Sequence, residues 1–134
     1  MAGGRTRPAR PPARRVLLLD DDSMVRALWL RIAEPLGVDL IAVETATQAR
    51  AFVEVERYDL VVCDWRLGPS ETSEAVVLHC ATEGIPLVVM TGDPRALERL
   101  RGAHAVLGKP CHLAEVEAVL RGSEAAALAP RPRG

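Results

Sequence analysis

The sequence predicts an α/β fold in which a five-stranded parallel sheet carries helices on both faces. Five short apolar runs alternate with segments whose apolar residues recur at helical spacing, and this alternation is typical of parallel sheets. The third run, DLVVCD at residues 59–64, is almost wholly apolar, which suits a strand buried on both faces. Hydrophobic residues make up 49% of the 134 residues and aromatic residues only 3%, so valine, leucine, isoleucine and alanine must form the core.

Each predicted strand is short and stops at a polar or turn-forming residue. The first, VLLL, stops abruptly at Asp20, and the fourth, PLVVM, stops at Thr91. In chain order the strands are predicted at residues 16–19, 40–43, 59–64, 86–90 and 105–107.

The predicted helices are marked by capping residues, helix breakers and apolar spacing. Ser23 can cap the first helix, Gly37 can end it, Thr45 or Thr47 can cap the second, and Pro94 can open the fourth. The apolar face of the first helix is predicted at Val25, Leu28, Trp29, Ile32 and Leu36. The second helix is predicted to end near Arg57 and the fourth near Arg101. The third is predicted to run from about Glu71 to Glu83, and the fifth from Leu113 to Leu120.

Charge divides the chain into three parts. Residues 1–15 carry five arginines and no acid, whereas residues 16–122 carry 17 acids against 10 bases. We predict a disordered basic Pro/Arg leader at 1–14, one domain at 15–122 and an Ala/Pro/Arg tail at 123–134. A basic leader can contact nucleic acid or an anionic membrane, but a solvated tail is the simpler interpretation.

An export signal, a membrane span and a disulfide framework are not expected. The Arg14-Arg15 pair precedes only four apolar residues, too few for a signal peptide, and no apolar run approaches the length of a membrane span. The three cysteines, Cys63, Cys80 and Cys111, lack the C-x-x-C spacing of metal sites, so reduced thiols in a cytoplasmic protein are expected.

Polar side chains collect at the carboxyl ends of four predicted strands, the edge where open parallel sheets bind ligands. They are Asp20, Asp21 and Asp22 after the first strand, Asp64 at the end of the third, Thr91 after the fourth and Lys109 after the fifth. Taken singly, such residues are usually a helix cap (expected of Asp22), a turn residue or a surface charge. Their joint occurrence favours a site.

The chemistry of this edge points to magnesium and phosphate. Crowded carboxylates repel and call for a counter-charge, and Mg²⁺ takes one or two carboxylates while leaving room for phosphate oxygens. Lys109 is the only lysine among 17 basic residues, and its compact ammonium suits a narrow site better than a guanidinium does. Together with the Thr91 hydroxyl, these groups could stabilise a phosphoryl group that arrives at Asp64.

At these residues the chain resembles the receiver domains of two-component response regulators. The segments VLLLDDD, YDLVVCDW, PLVVMTG and LGKP resemble the four motifs of that family, in order and over residues 15–122. The style of DWRLGPSET followed by TGD is most similar to receivers of hybrid histidine kinases. The resemblance implies a (βα)5 flavodoxin-like fold and a bacterial phosphorelay protein, with a Lys109-Pro110 peptide bond that is often cis in the family.

The resemblance also implies a role for each residue of the edge. Asp64 would accept the phosphoryl group from a histidine kinase or a histidine phosphotransfer protein. Asp21, Asp64 and the Arg66 carbonyl would bind Mg²⁺ directly and Asp20 through a water, while Thr91 and Lys109 would move toward the phosphoryl oxygens and so switch protein contacts.

Three departures from the family pattern affect the expected output. Val106 stands where relatives often carry a switch tyrosine or phenylalanine, so no ring at this position can report movement of Thr91. Lys109 lies only 18 positions after Thr91, which predicts a short fourth helix. Ser73 replaces a glycine common in hybrid-type relatives and can alter the entry to the third helix.

Arg66 and Asp93 lie two residues after Asp64 and Thr91, where side chains flank the path of the hydrolytic water in the family. We predict that they interact across the mouth of the site and slow loss of the phosphoryl group. Two independent solvated side chains are the alternative.

Two other functions stay open. A Mg²⁺-dependent phosphohydrolase with an aspartyl-phosphate intermediate would commonly have an acid where Arg66 stands, and a receiver-like interaction module would not be phosphorylated at all. We expect no enzyme activity beyond self-catalysed phosphoryl acceptance and dephosphorylation. The output is expected through a downstream protein, without direct DNA or membrane binding, whether the receiver is stand-alone or part of a hybrid kinase.

Overall fold

The computed structural model describes residues 13–122, in which five strands alternate with five helices. The predictions for the leader before residue 13 and for the tail at 123–134 lie outside the described residues. The strands are β1 (Arg15–Leu19), β2 (Asp39–Val43), β3 (Leu60–Asp64), β4 (Leu87–Thr91) and β5 (Ala105–Gly108). The helices are α1 (Ser23–Leu36), α2 (Ala46–Val55), α3 (Glu74–Glu83), α4 (Pro94–Arg101) and α5 (Leu113–Arg121).

The five strands form one parallel sheet in the order β2-β1-β3-β4-β5. Val16 of β1 pairs with Leu60 of β3, and Asp64 of β3 pairs with Met90 of β4. The polar ends of β1, β3, β4 and β5 therefore reach the same edge. The fold is the (βα)5 flavodoxin-like receiver fold, and the predicted fold class is confirmed.

Both faces of the sheet are buried because alternate residues of the central strands enter different core clusters. Val16 and Leu18 pack with Trp29 of α1, whereas Leu17 and Leu19 pack on the α2 and α3 side. All four strand residues are fully buried. Each such side chain contributes about 1.5–3 kcal/mol by leaving water, so these short strands carry much of the core energy.

Helix caps explain most of the observed boundaries. Asp22, which was expected to be a cap, and not Ser23, caps α1 by accepting the Met24 N–H. Gly37 ends the helix as predicted, and its φ is 69°. Thr45, the first of the two predicted candidates, caps α2 and forms a capping box with Gln48.

Three helix predictions were wrong in detail. The third helix begins at Glu74 and not near Glu71, because Arg66 and Thr72 form an antiparallel bridge that keeps the intervening loop out of the helix. The second helix ends at Val55, short of Arg57. Leu28, predicted to face the core, is 50% exposed because the buried face of α1 is centred on Trp29 and Ala33.

The short fourth helix is as predicted, since α4 has 8 residues and Pro94 stands in its first turn. The Lys109–Pro110 peptide bond is cis. Within the part of the chain that the structure describes, no helix is long and apolar enough to cross a membrane.

The last helix ends against the beginning of the first strand. Arg14 Nε donates a hydrogen bond to the Leu120 carbonyl oxygen at 2.9 Å. Gly122 ends α5 with a φ of 77°, and a Cβ on this glycine would lie 3.0 Å from Arg14 Cζ. The contact between Arg14 and Gly122 therefore joins the two ends of the domain.

Candidate functional site

Three carboxylates meet at the carboxyl edge of the sheet. Asp20 and Asp21 follow β1, Asp64 ends β3, and each residue offers an oxygen within 4.8 Å of the others. Asp20 is fully buried, Asp64 is 7% exposed and Asp21 is exposed. The sheet topology thus brings together the three acids that the sequence predicted for this edge.

Lys109 reaches into the acidic cluster from the loop after β5. Its Nζ lies 3.0 Å from Asp20 Oδ2 and 3.3 Å from Asp64 Oδ2. The backbone positions it as well, because the Lys109 N–H donates to the Thr91 carbonyl oxygen at 2.9 Å. One ammonium therefore offsets two buried carboxylates, which is the compact geometry expected of a lysine in a narrow site.

The surroundings of Asp64 raise its pKa but leave it mostly ionised at neutral pH. Burial and the negative charge of Asp20 raise the pKa of Asp64 from 3.8 to about 6, against the lowering effect of Lys109. Burial opposes the charge on Lys109, but its hydrogen bond to Asp20 and the charges of both acids raise its pKa above the usual value. At neutral pH the site holds an ionised Asp64 next to a charged lysine.

Thr91 ends β4 at the same edge and is 4% exposed. Its Oγ1 accepts the Asp93 N–H at 3.1 Å, which leaves the hydroxyl proton available for another acceptor. Asp93 in turn accepts the Arg95 N–H at 3.0 Å and caps α4. Thr91 therefore joins the site to the start of the short fourth helix.

The loop after Asp64 leaves a backbone oxygen available. The Arg66–Thr72 bridge uses the Trp65 carbonyl, which accepts from Ser73, and the Leu67 N–H, which donates to Glu71. These two hydrogen bonds do not consume the Arg66 carbonyl. The carbonyl that the resemblance assigned to a metal is thus not committed to the bridge.

Among residues 13–122, no ion pair joins Arg66 to Asp93. The Arg66 side chain is exposed, and the Asp93 carboxylate is engaged in capping α4. The predicted contact is thus not formed between these side chains here, and the effect of Arg66 and Asp93 on loss of the phosphoryl group stays a prediction.

Val106 is 3% exposed and lies in a small cluster with Val77, Val89, Ala96 and Leu100, between the sheet, α3 and α4. The partly buried Trp65, which directly follows the candidate acceptor, packs against this cluster. An aromatic ring therefore adjoins this region from the residue directly after β3, a position that the sequence analysis did not single out.

Arg26 is the main site contact that sequence reasoning missed. Its Nη1 donates to the Asp20 carbonyl oxygen at 2.9 Å, so it holds the turn between β1 and α1. Its spacing, one helical turn after Asp22, is the only sequence signal, and many surface arginines share such a spacing.

The donor set fits a hard divalent cation. Carboxylate and carbonyl oxygens are the ligands that Mg²⁺ prefers, and it usually keeps several waters. The exposed Asp21 gives a hydrated ion access, while Asp20 and Asp64 provide buried negative charge.

Comparisons with known proteins find similarity in sequence to one curated protein and in fold to many solved structures. No protein-family model matches the chain. Regulatory protein VirG of Agrobacterium tumefaciens (strain 15955) is 29% identical over 115 residues, which cover 82% of this chain and 43% of that protein. The chain thus spans less than half the length of this curated relative.

Solved structures share the fold at low identity. The signal receiver domain of an HD domain-containing protein from Pseudomonas fluorescens Pf-5 is 19% identical with a TM-score of 0.74, over 90% of this chain and 94% of that one. A CheY-like response regulator receiver domain from Methylobacillus flagellatus is 22% identical with a TM-score of 0.69, over 82% and 98%.

The fold is shared with signal receiver domains, and an acidic cluster with Lys109 lies at its carboxyl edge. The sequence similarity to VirG and the fold shared with response regulator receiver domains agree with the resemblance that the four motifs indicated.

Proposed function

We propose that the domain accepts a phosphoryl group on Asp64 in a Mg²⁺-dependent two-component phosphorelay. The observation that carries this proposal is the contact of a buried Asp64 with Lys109, beside two further acids on an edge open to solvent. The pKa of about 6 leaves most Asp64 ionised at neutral pH, which a nucleophile requires.

The proposed donor is a phosphohistidine of a histidine kinase or histidine phosphotransfer protein. An Asp64 carboxylate oxygen attacks phosphorus, a P–O bond forms, the P–N bond breaks, and its electron pair returns to the imidazole. Bound Mg²⁺ would supply positive charge to the phosphoryl oxygens. Asp21, Asp64 and the Arg66 carbonyl are the proposed direct ligands, with Asp20 acting through a water.

Lys109 and Thr91 would respond to the new charge. The Lys109 ammonium, already 3.3 Å from Asp64 Oδ2, can follow the phosphoryl oxygens, and the Thr91 hydroxyl can donate its proton to one of them. Because Thr91 also accepts from the residue that caps α4, its movement would alter that helix end. We propose that the resulting change of surface is read by a downstream protein in the cytoplasm, without direct DNA contact.

Incubation with Mg²⁺ and acetyl phosphate, followed by intact mass measurement, tests the acceptor. The wild type should gain one phosphoryl group and Asp64→Asn none. Because acetyl phosphate is a poor donor for some receivers, beryllofluoride binding is measured in parallel. Failure of both would refute the proposal and favour an interaction module that is not phosphorylated.

A phosphohydrolase with an aspartyl-phosphate intermediate is the rival enzyme. Arg66 stands where such enzymes commonly carry their general acid, and an arginine cannot donate that proton at neutral pH. Turnover of p-nitrophenyl phosphate by the wild type, abolished in Asp64→Asn, would favour the rival.

The Arg66–Asp93 gate is tested by the lifetime of the phosphoryl group. Arg66→Ala should shorten it if the arginine shields the acyl phosphate from water, whereas an unchanged lifetime would dismiss the gate. Arg95→Ala is the matched control, since Arg95 is exposed at the start of α4.

A further inference from the structure

Arg26 of α1 contacts the turn that carries Asp20 and Asp21, and Glu44, the residue after β2, lies beside its guanidinium. Arg26 of α1 donates through Nη1 to the Asp20 carbonyl oxygen at 2.9 Å, and its Nη2 lies 3.9 Å from Glu44 Oε2. The Arg26 side chain is only 21% exposed, so its guanidinium lies within the packed turn. Asp20 therefore has its carbonyl held by an arginine and its carboxylate held by Lys109.

This carbonyl has a direct geometric link to Asp21. The Asp20 carbonyl and the Asp21 N–H belong to one planar peptide unit, so fixing the oxygen fixes the plane from which Asp21 departs. On the next peptide, the Asp22 N–H donates to Asp20 Oδ1 at 2.9 Å. The two hydrogen bonds hold the backbone on both sides of Asp21, whose side chain is exposed and is not packed in place by neighbours.

We propose that Arg26 is a positioning residue that aims Asp21 at Asp64, with Glu44 holding the guanidinium in place. This inference rests on the proposed Mg²⁺ function, because Asp21 matters there as a metal ligand. Groups that orient ligands through hydrogen bonds commonly change metal affinity by about 10- to 100-fold.

The charge of Arg26 acts in the opposite direction to its hydrogen bond. A guanidinium close to a cation site repels the cation, so loss of the charge alone would tighten Mg²⁺ binding. Loss of the positioning contact would weaken it. The sign of the change in affinity therefore separates the two roles.

The experiment compares Mg²⁺ affinity in the wild type, Arg26→Ala, Arg26→Lys and Glu44→Gln by titration. We expect Arg26→Ala to bind about tenfold more weakly, Arg26→Lys to recover most of the loss, and Glu44→Gln to lose about twofold. Arg31→Ala is the matched control, because Arg31 is exposed on the same helix. Phosphorylation of Arg26→Ala should recover at saturating Mg²⁺.

A second measurement does not depend on metal. Because the Asp22 N–H is bonded to Asp20 Oδ1, its hydrogen exchange reports the order of the turn. Exchange in the metal-free protein should be at least threefold faster in Arg26→Ala than in Arg31→Ala.

The outcomes distinguish the inference from the proposed function. Equal or tighter Mg²⁺ binding by Arg26→Ala, or unchanged exchange of the Asp22 N–H, overturns the positioning role while the phosphoacceptor proposal stands. A wild type that binds neither Mg²⁺ nor beryllofluoride overturns the proposed function and, with it, the assignment of Asp21 as a ligand that Arg26 aims.

Discussion

Substitution of Ser73 by alanine should stabilise the protein. The residue is fully buried, and no protein atom forms a hydrogen bond with its Oγ. It stands at the N-cap of α3, but its side chain makes no capping bond. Only its backbone is used: the N–H donates to the Trp65 carbonyl at 2.8 Å, and the carbonyl accepts the Val77 N–H at 3.0 Å. The hydroxyl thus loses its hydrogen bonds to water on folding and forms no hydrogen bond with the protein to replace them.

The magnitude follows from two opposing effects. A buried hydroxyl without a partner costs about 1–3 kcal/mol, whereas replacing an N-cap serine by alanine usually costs about 1 kcal/mol. The second effect is absent here because the capping bond is absent. After allowance for the small space left by the oxygen, we expect Ser73→Ala to raise the free energy of unfolding by about 1 kcal/mol, or Tm by roughly 4 °C.

Urea unfolding measures the change, and a shift of the midpoint at constant m-value identifies it as stability. Thr72→Val is the matched control of opposite sign, since Thr72 Oγ1 accepts the Glu74 N–H at 3.3 Å. Ser73→Gly should fall below Ser73→Ala by about 0.5–1 kcal/mol, because the φ of −87° does not require glycine. Loss of 1 kcal/mol or more in Ser73→Ala would show that the hydroxyl has a partner and would refute the reasoning.

Three further predictions concern the site and the thiols. Lys109→Arg should fold, because the Lys109 side chain is 25% exposed and a larger group can extend toward solvent. Beryllofluoride should then no longer change the hydrogen exchange of α4 in this variant. A change equal to that of the wild type would contradict the prediction. The raised pKa of Asp64 means that the folded state holds the proton more tightly than the unfolded state, so stability falls as pH rises from about 4 to 6. Asp64→Asn should therefore stabilise more at pH 7.5 than at pH 4 in urea unfolding, by at most about 3 kcal/mol, and equal gains would count against it. Burial raises the pKa of Cys80 and of Cys111 to about 11, so alkylation by iodoacetamide at pH 8, followed by mass, should be about 100-fold slower than in urea; similar rates would exclude this.

Strand positions were predictable because each strand is a local pattern with a clear stop. The polar residues Asp20 and Thr91 interrupt apolar runs, and β1 and β4 end within one residue of the predicted ends. The start of α3 was not predictable in this way. It depends on the pairing of Arg66 with Thr72 across the loop, which no helical period or capping residue reports.

The main groups of the site were predictable because topology, once inferred, decides which strand ends meet. Asp64 and Lys109 are 45 residues apart in the chain and 3.3 Å apart in space, yet both follow from the rule for parallel sheets. Arg26 did not follow from that rule, because its role depends on the direction of one long side chain. The exposure of Leu28 was not predictable for a related reason: a broad apolar stripe on a helix does not determine which of its residues are buried most deeply.

The contact between Arg14 and Gly122 indicates that the domain can be circularly permuted. It brings the two ends of the domain side by side at the edge of the sheet opposite Asp64. A short linker could therefore close the backbone there, and new termini could be opened in an exposed loop, as in other circular permutants. A side chain at residue 122 would displace the Arg14 guanidinium, so such a linker should keep the glycine.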